Sequence, residues 1–183
     1  MKQITILLSS ILLLTKVEAQ NFVAVDEGSS IKFTIKNFGF STGGSFTGLN
    51  GAISFDAAHS DNSSFAVSIN AATINTDNQS RDKHLRKEEY FDVEKHPVIN
   101  LVSSSISTAK PGTFLMKGKL TIKGITKEIS FPFTATAQNS GYLFSGSFKI
   151  NRRDFGVGGS SMVLADNLEV SLSVFAKKNQ GLK

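Results

Sequence analysis

The chain has 183 residues, enough for one domain with a sizeable core, and a formal charge of +5 from 20 Lys and Arg against 15 Asp and Glu. With no cysteine, a disulfide framework, a thiolate metal cluster and a lipoprotein attachment point are all excluded. The basic residues are scattered rather than gathered into a stripe that tracks phosphates, which sets nucleic acid aside and leaves a mild attraction to anionic lipid or substrate.

Met1-Lys2 is basic, Ile4 to Leu14 is apolar, and Val17-Glu18-Ala19 ends on the small residues that leader peptidases accept. Residues 1–19 are expected to be an export signal peptide, and residues 20–183 a single domain with a net charge of +4. The apolar run is short for a bilayer span and no second one follows, so the exported domain is expected to be soluble.

From there period two takes over. Over Ser30–Phe38, Ile31, Phe33 and Ile35 oppose Lys32, Thr34 and Lys36, and Phe22–Asp26 extends or precedes this strand. Gly44–Asp56 changes parity between Phe46 and the series Leu49, Ile53, Phe55, with Asn50-Gly51 between them. Asn-Gly is a hairpin signal, and a glycine bulge gives the same shift. The bulge is favoured because it leaves eight main strands, the even number with which an all-antiparallel up-and-down sheet closes.

Phe65-Val67-Ile69-Ala71 and Val98–Thr108 follow. Next comes the clearest strand, where Phe114, Met116, Leu120 and Ile122 share one face opposite three lysines. Lys127–Gln138 aligns Ile129, Phe131, Phe133, Ala135 and Ala137, with Pro132 expected at a bulge or a poorly paired stretch. Asn139-Ser140-Gly141 turns into Tyr142, Phe144, Gly146, Phe148 and Ile150, and Leu168, Val170, Leu172, Val174 and Ala176 form the last strand. Residues 75–96 break the pattern: Thr76 and Gln79 at capping-box spacing predict one short helix at about residues 79–89. Residues 156–166 read as a long glycine-rich loop, too long to be incidental in a compact domain and without a following helix to cradle phosphate.

The fold class is therefore all-β, an eight-stranded antiparallel lipocalin-like barrel with one short helix. A membrane barrel also alternates, with its apolar face outward and Trp and Tyr at the interfaces; this chain has no Trp and two Tyr. Catalytic signals are poor. His59, His84 and His96 stand at no metal-like spacing, and no serine occupies a Gly-x-Ser-x-Gly elbow, so neither an enzyme nor a metal site is expected.

Five segments together carry a family resemblance. They are Ser45-Phe46-Thr47-Gly48 with Gly51-Ala52-Ile53-Ser54-Phe55-Asp56; Arg81-Asp82-Lys83-His84-Leu85; Tyr90-Phe91-Asp92 with His96-Pro97; Gly118 to Lys127; and Asn151-Arg152-Arg153-Asp154-Phe155-Gly156. In this order the chain resembles the YceI-like family, the lipocalin-like exported polyisoprenoid-binding proteins of bacteria. The first strand departs from it in lacking the histidine that often precedes its serine. The resemblance implies a barrel holding a long isoprenoid or similar amphiphile, a periplasmic or alternatively secreted location, no catalysis and no cofactor beyond a bound lipid. Transient membrane contact is compatible with it, and oligomeric state stays open, a dimer included.

An eight-stranded barrel is either filled by its own side chains or just wide enough for a slim ligand. The expected apolar lining is Phe33 and Ile35, then Phe65, Val67 and Ile69, then Phe114, Met116, Gly118 and Leu120. Phe131 and Phe133, Phe144, Gly146 and Phe148, and Leu172 and Val174 complete it from the later strands. Gly118 and Gly146 stand where large residues belong, and either leave room or let strands bend at corners. Headgroup or mouth candidates are Arg81, Asp82, His84, Arg152, Asp154 and Phe155, with Arg86 and Arg153 nearby; for Arg81 and Asp82 a plain tethering of the helix is the alternative. Burial of each tail CH₂ contributes roughly 0.8 kcal/mol, so a long chain needs no specific hydrogen bond. Two functions follow, a lipid carrier with a hollow barrel and a stress-related scaffold with a solid one.

Overall fold

The computed structural model describes residues 19–179, so the expected export signal lies, up to residue 18, outside the described residues. Among the described residues nine strands form: β1 (Gln20–Asn37), β2 (Phe40–Phe46), β3 (Asn50–Phe55), β4 (Ser64–Asn70), β5 (Val98–Lys110), β6 (Thr113–Ile122), β7 (Ile125–Gln138), β8 (Gly141–Asn151) and β9 (Leu164–Lys178). Among the same residues there is one α-helix, α1 (Gln79–Leu85), between β4 and β5. Every pairing is antiparallel, and β1 joins β9 to close the sheet into a barrel.

Nine strands fill eight wall positions, because β2 and β3 lie end to end along the same edge of β1. β2 runs from Ile31↔Phe46 to Asn37↔Phe40, and β3 from Gln20↔Phe55 to Val23↔Ala52. The parity change is thus an interruption of one wall strand and not a chain reversal at Asn50-Gly51. The Asp26 carboxylate pins the break by accepting the N–H groups of Gly48 (2.9 Å) and Leu49 (2.8 Å), which the ladder leaves without partners. Gly51 has φ 141°, and a Cβ there would stand 2.2 Å from the Ala66 carbonyl oxygen, so only glycine lets β3 and β4 approach here.

Along β6, Phe114, Met116, Leu120 and Ile122 are buried while Lys117 and Lys119 are exposed. The apolar faces turn inward, the reverse of a lipid-facing wall. Pro132 pairs with Leu115 on β6, but the β7–β8 ladder stops at Phe133↔Gly146, so proline's missing donor faces a stretch with no ladder to complete. Across that unpaired seam Phe131 and Phe148 bring their ring centroids to 4.7 Å.

Several expected boundaries move. β9 starts at Leu164, inside the loop expected over residues 156–166, because Leu164 pairs with Asn37 of β1. β2 starts at Phe40 rather than Gly44, because Ser41 to Ser45 earn their strand conformation from backbone pairing with β1 and show no alternation. The helix ends at Leu85 rather than near residue 89, and its cap is Asn78, whose side chain accepts the Arg81 N–H at 2.9 Å. Thr76 instead bonds Asp82. Past Arg86 the chain must turn back to bring Tyr90 and Phe91 against the barrel, and the Phe91 N–H closes onto the Leu85 carbonyl at 3.0 Å.

The interior divides into two ends. One is filled by Phe22, Phe55, Phe114, Tyr142 and Phe144, with Ala24 and Ala176 between them. The other, where β1 ends and β9 begins, is covered by α1 and the loop 156–163 rather than by wall residues alone.

Candidate functional site

The strand ends opposite the aromatic plug enclose a cavity of about 410 Å³, within the usual range of small-molecule pockets. Its floor is Ile53, Phe65, Met116, Phe133, Phe144 and Val174, and it opens past Asn37, Thr42, Ser161 and Val163. The walls are almost wholly aliphatic and aromatic. The barrel is therefore half filled and half hollow, and the plug fixes the depth of the hollow half.

Of the apolar residues expected to line the interior, Phe33, Ile35, Phe65, Val67 and Ile69 face the cavity. So do Met116, Leu120, Phe131, Phe133, Phe144, Phe148, Leu172 and Val174. Phe114 does not: it belongs to the plug, its ring 5.2 Å from Phe55 and 5.4 Å from Phe133.

Gly118 and Gly146 are also corrected, since neither leaves room for a ligand. A Cβ on Gly118 would lie 2.7 Å from the Val102 carbonyl oxygen and 3.2 Å from the Ser103 Cα, at the point where the β5–β6 register shifts. One on Gly146 would lie 3.0 Å from the Pro132 carbonyl oxygen. Both glycines permit close approach between wall strands. Gly118→Ala is accordingly expected to lower unfolding free energy by about 1–3 kcal/mol in denaturant titrations while leaving ligand affinity unchanged.

Leu168 and Val170 share the cavity with Leu172, and their parity in the last strand carried that signal. Ile74, Tyr90, Phe91, Val157 and Val163 also line it from outside the strands, where no periodicity marks them.

The polar residues at the open end fall into two groups. Arg81 lines the cavity and donates from Nε to Thr76 Oγ1 (2.7 Å) and from Nη2 to the Thr76 carbonyl (2.6 Å), leaving further guanidinium N–H groups. His84 lines it too, its ring edge-on to Tyr90 with centroids 5.0 Å apart and its Nε2 3.9 Å from Glu89. These two can meet a ligand oxygen. Asp82 is not in the cavity: it is buried and accepts the Thr76 N–H at 2.9 Å and the Thr76 hydroxyl, tying α1 to the chain before it. Arg86 does similar work, donating to the carbonyls of Ala72 (2.7 Å) and Ile74 (3.0 Å).

Arg152 touches the cavity but spends its donors on the protein, from Nε to Ala165 (3.0 Å), from Nη1 to Val157 (2.9 Å) and from Nη2 to the Asp166 carboxylate (2.8 Å). Phe155 packs beside it as a buried wall residue. Asp154 is exposed and outside the cavity, and Arg153 is half-exposed against Asp166 at 3.4 Å.

The shifted titrations lie elsewhere. The backbone N–H groups of His59 and Ala58 hold the Asp56 carboxyl below its ordinary range, and a bond from Lys177 does the same for Glu27. Lys95 is raised by its bond to Glu88 and by the nearby Asp92. Among the described residues no cluster of three or more His, Cys, Asp or Glu stands ready to hold a metal.

A family model described as a YceI-like domain matches residues 22–176. A UPF0312 protein of Shewanella denitrificans is 31% identical over 158 residues, covering 81% of this chain and 83% of that one. Another from Pseudomonas fluorescens is 32% identical over 162 residues, covering 81% and 82%. Among solved structures, BcnA of Burkholderia cenocepacia matches with a TM-score of 0.80 at 24% identity, over 84% of this chain and 99% of that one. The YCEI protein of Campylobacter jejuni matches with a TM-score of 0.68 at 29% identity, over 75% and 85%. A polyisoprenoid binding domain from Saccharophagus degradans gives a TM-score of 0.70 at 14% identity, over 88% and 99%. The two solved structures under a quarter identical bear on the fold alone. With the family model spanning nearly the whole barrel and relatives above 30% identity along most of their length, the chain belongs to the YceI-like family.

Proposed function

We propose that this protein is a noncatalytic, exported carrier that shields the hydrocarbon tail of an isoprenoid or similar single-headed amphiphile from water, in the periplasm or outside the cell. The observation that carries the reading is the cavity of about 410 Å³ with an apolar floor and walls, closed at one end and open at the other beside Arg81 and His84. A tail entering tail-first loses its contact with water over its whole buried length, which drives binding without directional bonds. The headgroup then stops at the level of α1, where guanidinium and imidazole N–H groups meet a hydroxyl, carbonyl or phosphate oxygen. The aliphatic and aromatic lining supports a hydrocarbon-tailed ligand, and the half-hollow interior supports a carrier over a solid scaffold.

Native mass spectrometry of gently purified protein tests this, with an apolar adduct of discrete mass as the expected result. Val170→Trp is the companion variant. Val170 faces the cavity from β9, opposite Phe33 on one side and Phe148 on the other, so an indole there occupies the hollow without disturbing a filled core. Uptake is expected to weaken at least about tenfold, or ~1.4 kcal/mol, with the circular-dichroism spectrum unchanged. Adduct-free protein from several expression hosts, together with wild-type-like behaviour of Val170→Trp, would overturn the carrier.

A further inference from the structure

We propose that the tip formed by the β1–β2 turn and the loop 156–163 is a membrane-docking surface, which holds the cavity mouth against an anionic phospholipid bilayer while the ligand crosses. The inference rests on the carrier reading for its purpose but on separate residues for its argument. Phe38 is 69% exposed, Phe40 77% and Met162 fully exposed, with Val163 beside them. Among the described residues these two are the exposed phenylalanines; the others are buried or half-buried. A single exposed apolar side chain is ordinary, but a cluster of large ones at one end of a molecule marks a contact surface.

The cluster is built rather than loose. The Phe38 N–H donates to the Val163 carbonyl at 2.8 Å, joining the two loops, and Asn37 pairs with both Phe40 and Leu164. The Ser161 hydroxyl accepts the N–H groups of Val163 (3.2 Å) and Leu164 (3.0 Å), a local turn that fixes the chain around Met162. Phe38 has φ 50° and Gly39 φ 79°, the backbone of a two-residue turn that favours asparagine and glycine. A bulky aromatic at positive φ is uncommon and strained. The chain thus presents a phenylalanine to water at a position where both solvation and backbone preference favour a small polar residue.

Position and charge select the partner. Asn37, Thr42, Ser161 and Val163 rim the cavity, so whatever the tip enters is what the mouth opens toward. Segments 36–42 and 156–164 contain no Asp or Glu, while Lys32 and Lys36 are exposed on the strand leading to the turn. Asp166, the nearest acidic residue after the loop, is neutralised by Arg152 and Arg153. Aromatic and methionine side chains set among lysines suit the boundary between acyl chains and anionic headgroups, where rings bury and ammonium groups stay wet.

The test is vesicle flotation of the full exported domain with phosphatidylethanolamine–phosphatidylglycerol vesicles and with phosphatidylcholine vesicles, at low and high salt. Wild type is expected to float with the anionic vesicles and to release as salt rises. Phe38→Ser combined with Phe40→Ser is expected to lower the bound fraction at least about tenfold, and Met162→Gln by less. Phe38→Asn checks folding, since it suits the turn: its Tm is expected at or above wild type while vesicle binding falls. Transfer of a dansyl-labelled isoprenoid alcohol from vesicles is expected to slow with the double variant, but uptake of the same probe from cyclodextrin to stay unchanged. No uptake from cyclodextrin by wild type, with flotation intact, would sink the carrier reading and leave the docking surface standing. Wild type that stays off anionic vesicles, or a double variant that floats equally well, would overturn the docking surface. So would ultracentrifugation showing a dimer that the double variant loses with no vesicle binding, which would assign the tip to a second copy of the chain.

Discussion

Phe55→Ala is expected to lower unfolding free energy by about 3–5 kcal/mol and, at the same time, to lengthen the ligand that the barrel accepts. Phe55 is 2% exposed and stands at the centre of the plug, with ring centroids 5.1 Å from Phe144, 5.2 Å from Phe114 and Tyr142, and 6.5 Å from Phe65. Removing the ring loses these edge-on contacts and leaves a hole that surrounding strands, tied by ladders on both sides, cannot close. Phe65 and Phe144 are also floor residues of the cavity, so the hole opens directly behind that floor. Denaturant titration reads the first effect. The second is read by the masses of bound lipids, which are expected to shift toward longer chains; an unchanged distribution would mean that the plug does not set tail length. Phe55→Leu, which refills most of the space, is expected to cost less and to keep the wild-type distribution.

Arg152→Ala is expected to cost about 2–3 kcal/mol and to weaken ligand retention, through the loop rather than through a headgroup contact. Arg152 is 4% exposed and holds three acceptors at once, Ala165, Val157 and Asp166. Its loss strands two carbonyls and a carboxylate, and Arg153, already 3.4 Å from Asp166, compensates in part because that carboxylate is partly solvated. The loop so released carries Val157 and Val163 into the cavity wall, so its opening would expose to water the tail of the ligand proposed to sit there. A fall in Tm together with faster probe release is the expected pair of results. Release that stays at the wild-type rate despite a lower Tm would separate the clamp from ligand retention. Arg152→Lys keeps the charge but cannot reach three acceptors, and its effect should fall between wild type and Ala.

The inward and outward faces of nearly every strand were legible in the chain, because a side chain's face in a strand depends only on local parity. The long alternation of β6 gave both boundaries and facing to within a residue, that of β9 gave the facing but not the start at Leu164, and the even strand count followed from closure. β2 was legible only from Gly44 onward, since its conformation comes from pairing with β1. The Arg81–Asp82 tether was foreseeable as an alternative, but its partner Thr76 was read as a cap, because capping boxes and side-chain tethers use the same residue types at similar spacing.

The amino-acid sequence alone determined that phenylalanines from most of the strands would meet inside a closed wall, but not how much of the inside they would fill. Only the tertiary structure decided that Phe22, Phe55, Phe114 and Tyr142 converge at one end while α1 and the loop 156–163 roof a hollow at the other. The same holds for Gly118 and Gly146, whose absent side chains accommodate neighbouring backbone rather than ligand. The reason is physical: parity is a property of one strand, whereas filling depends on side chains from strands far apart in the chain reaching the same volume. That volume is set by strand tilt, register and closure, which no single segment encodes.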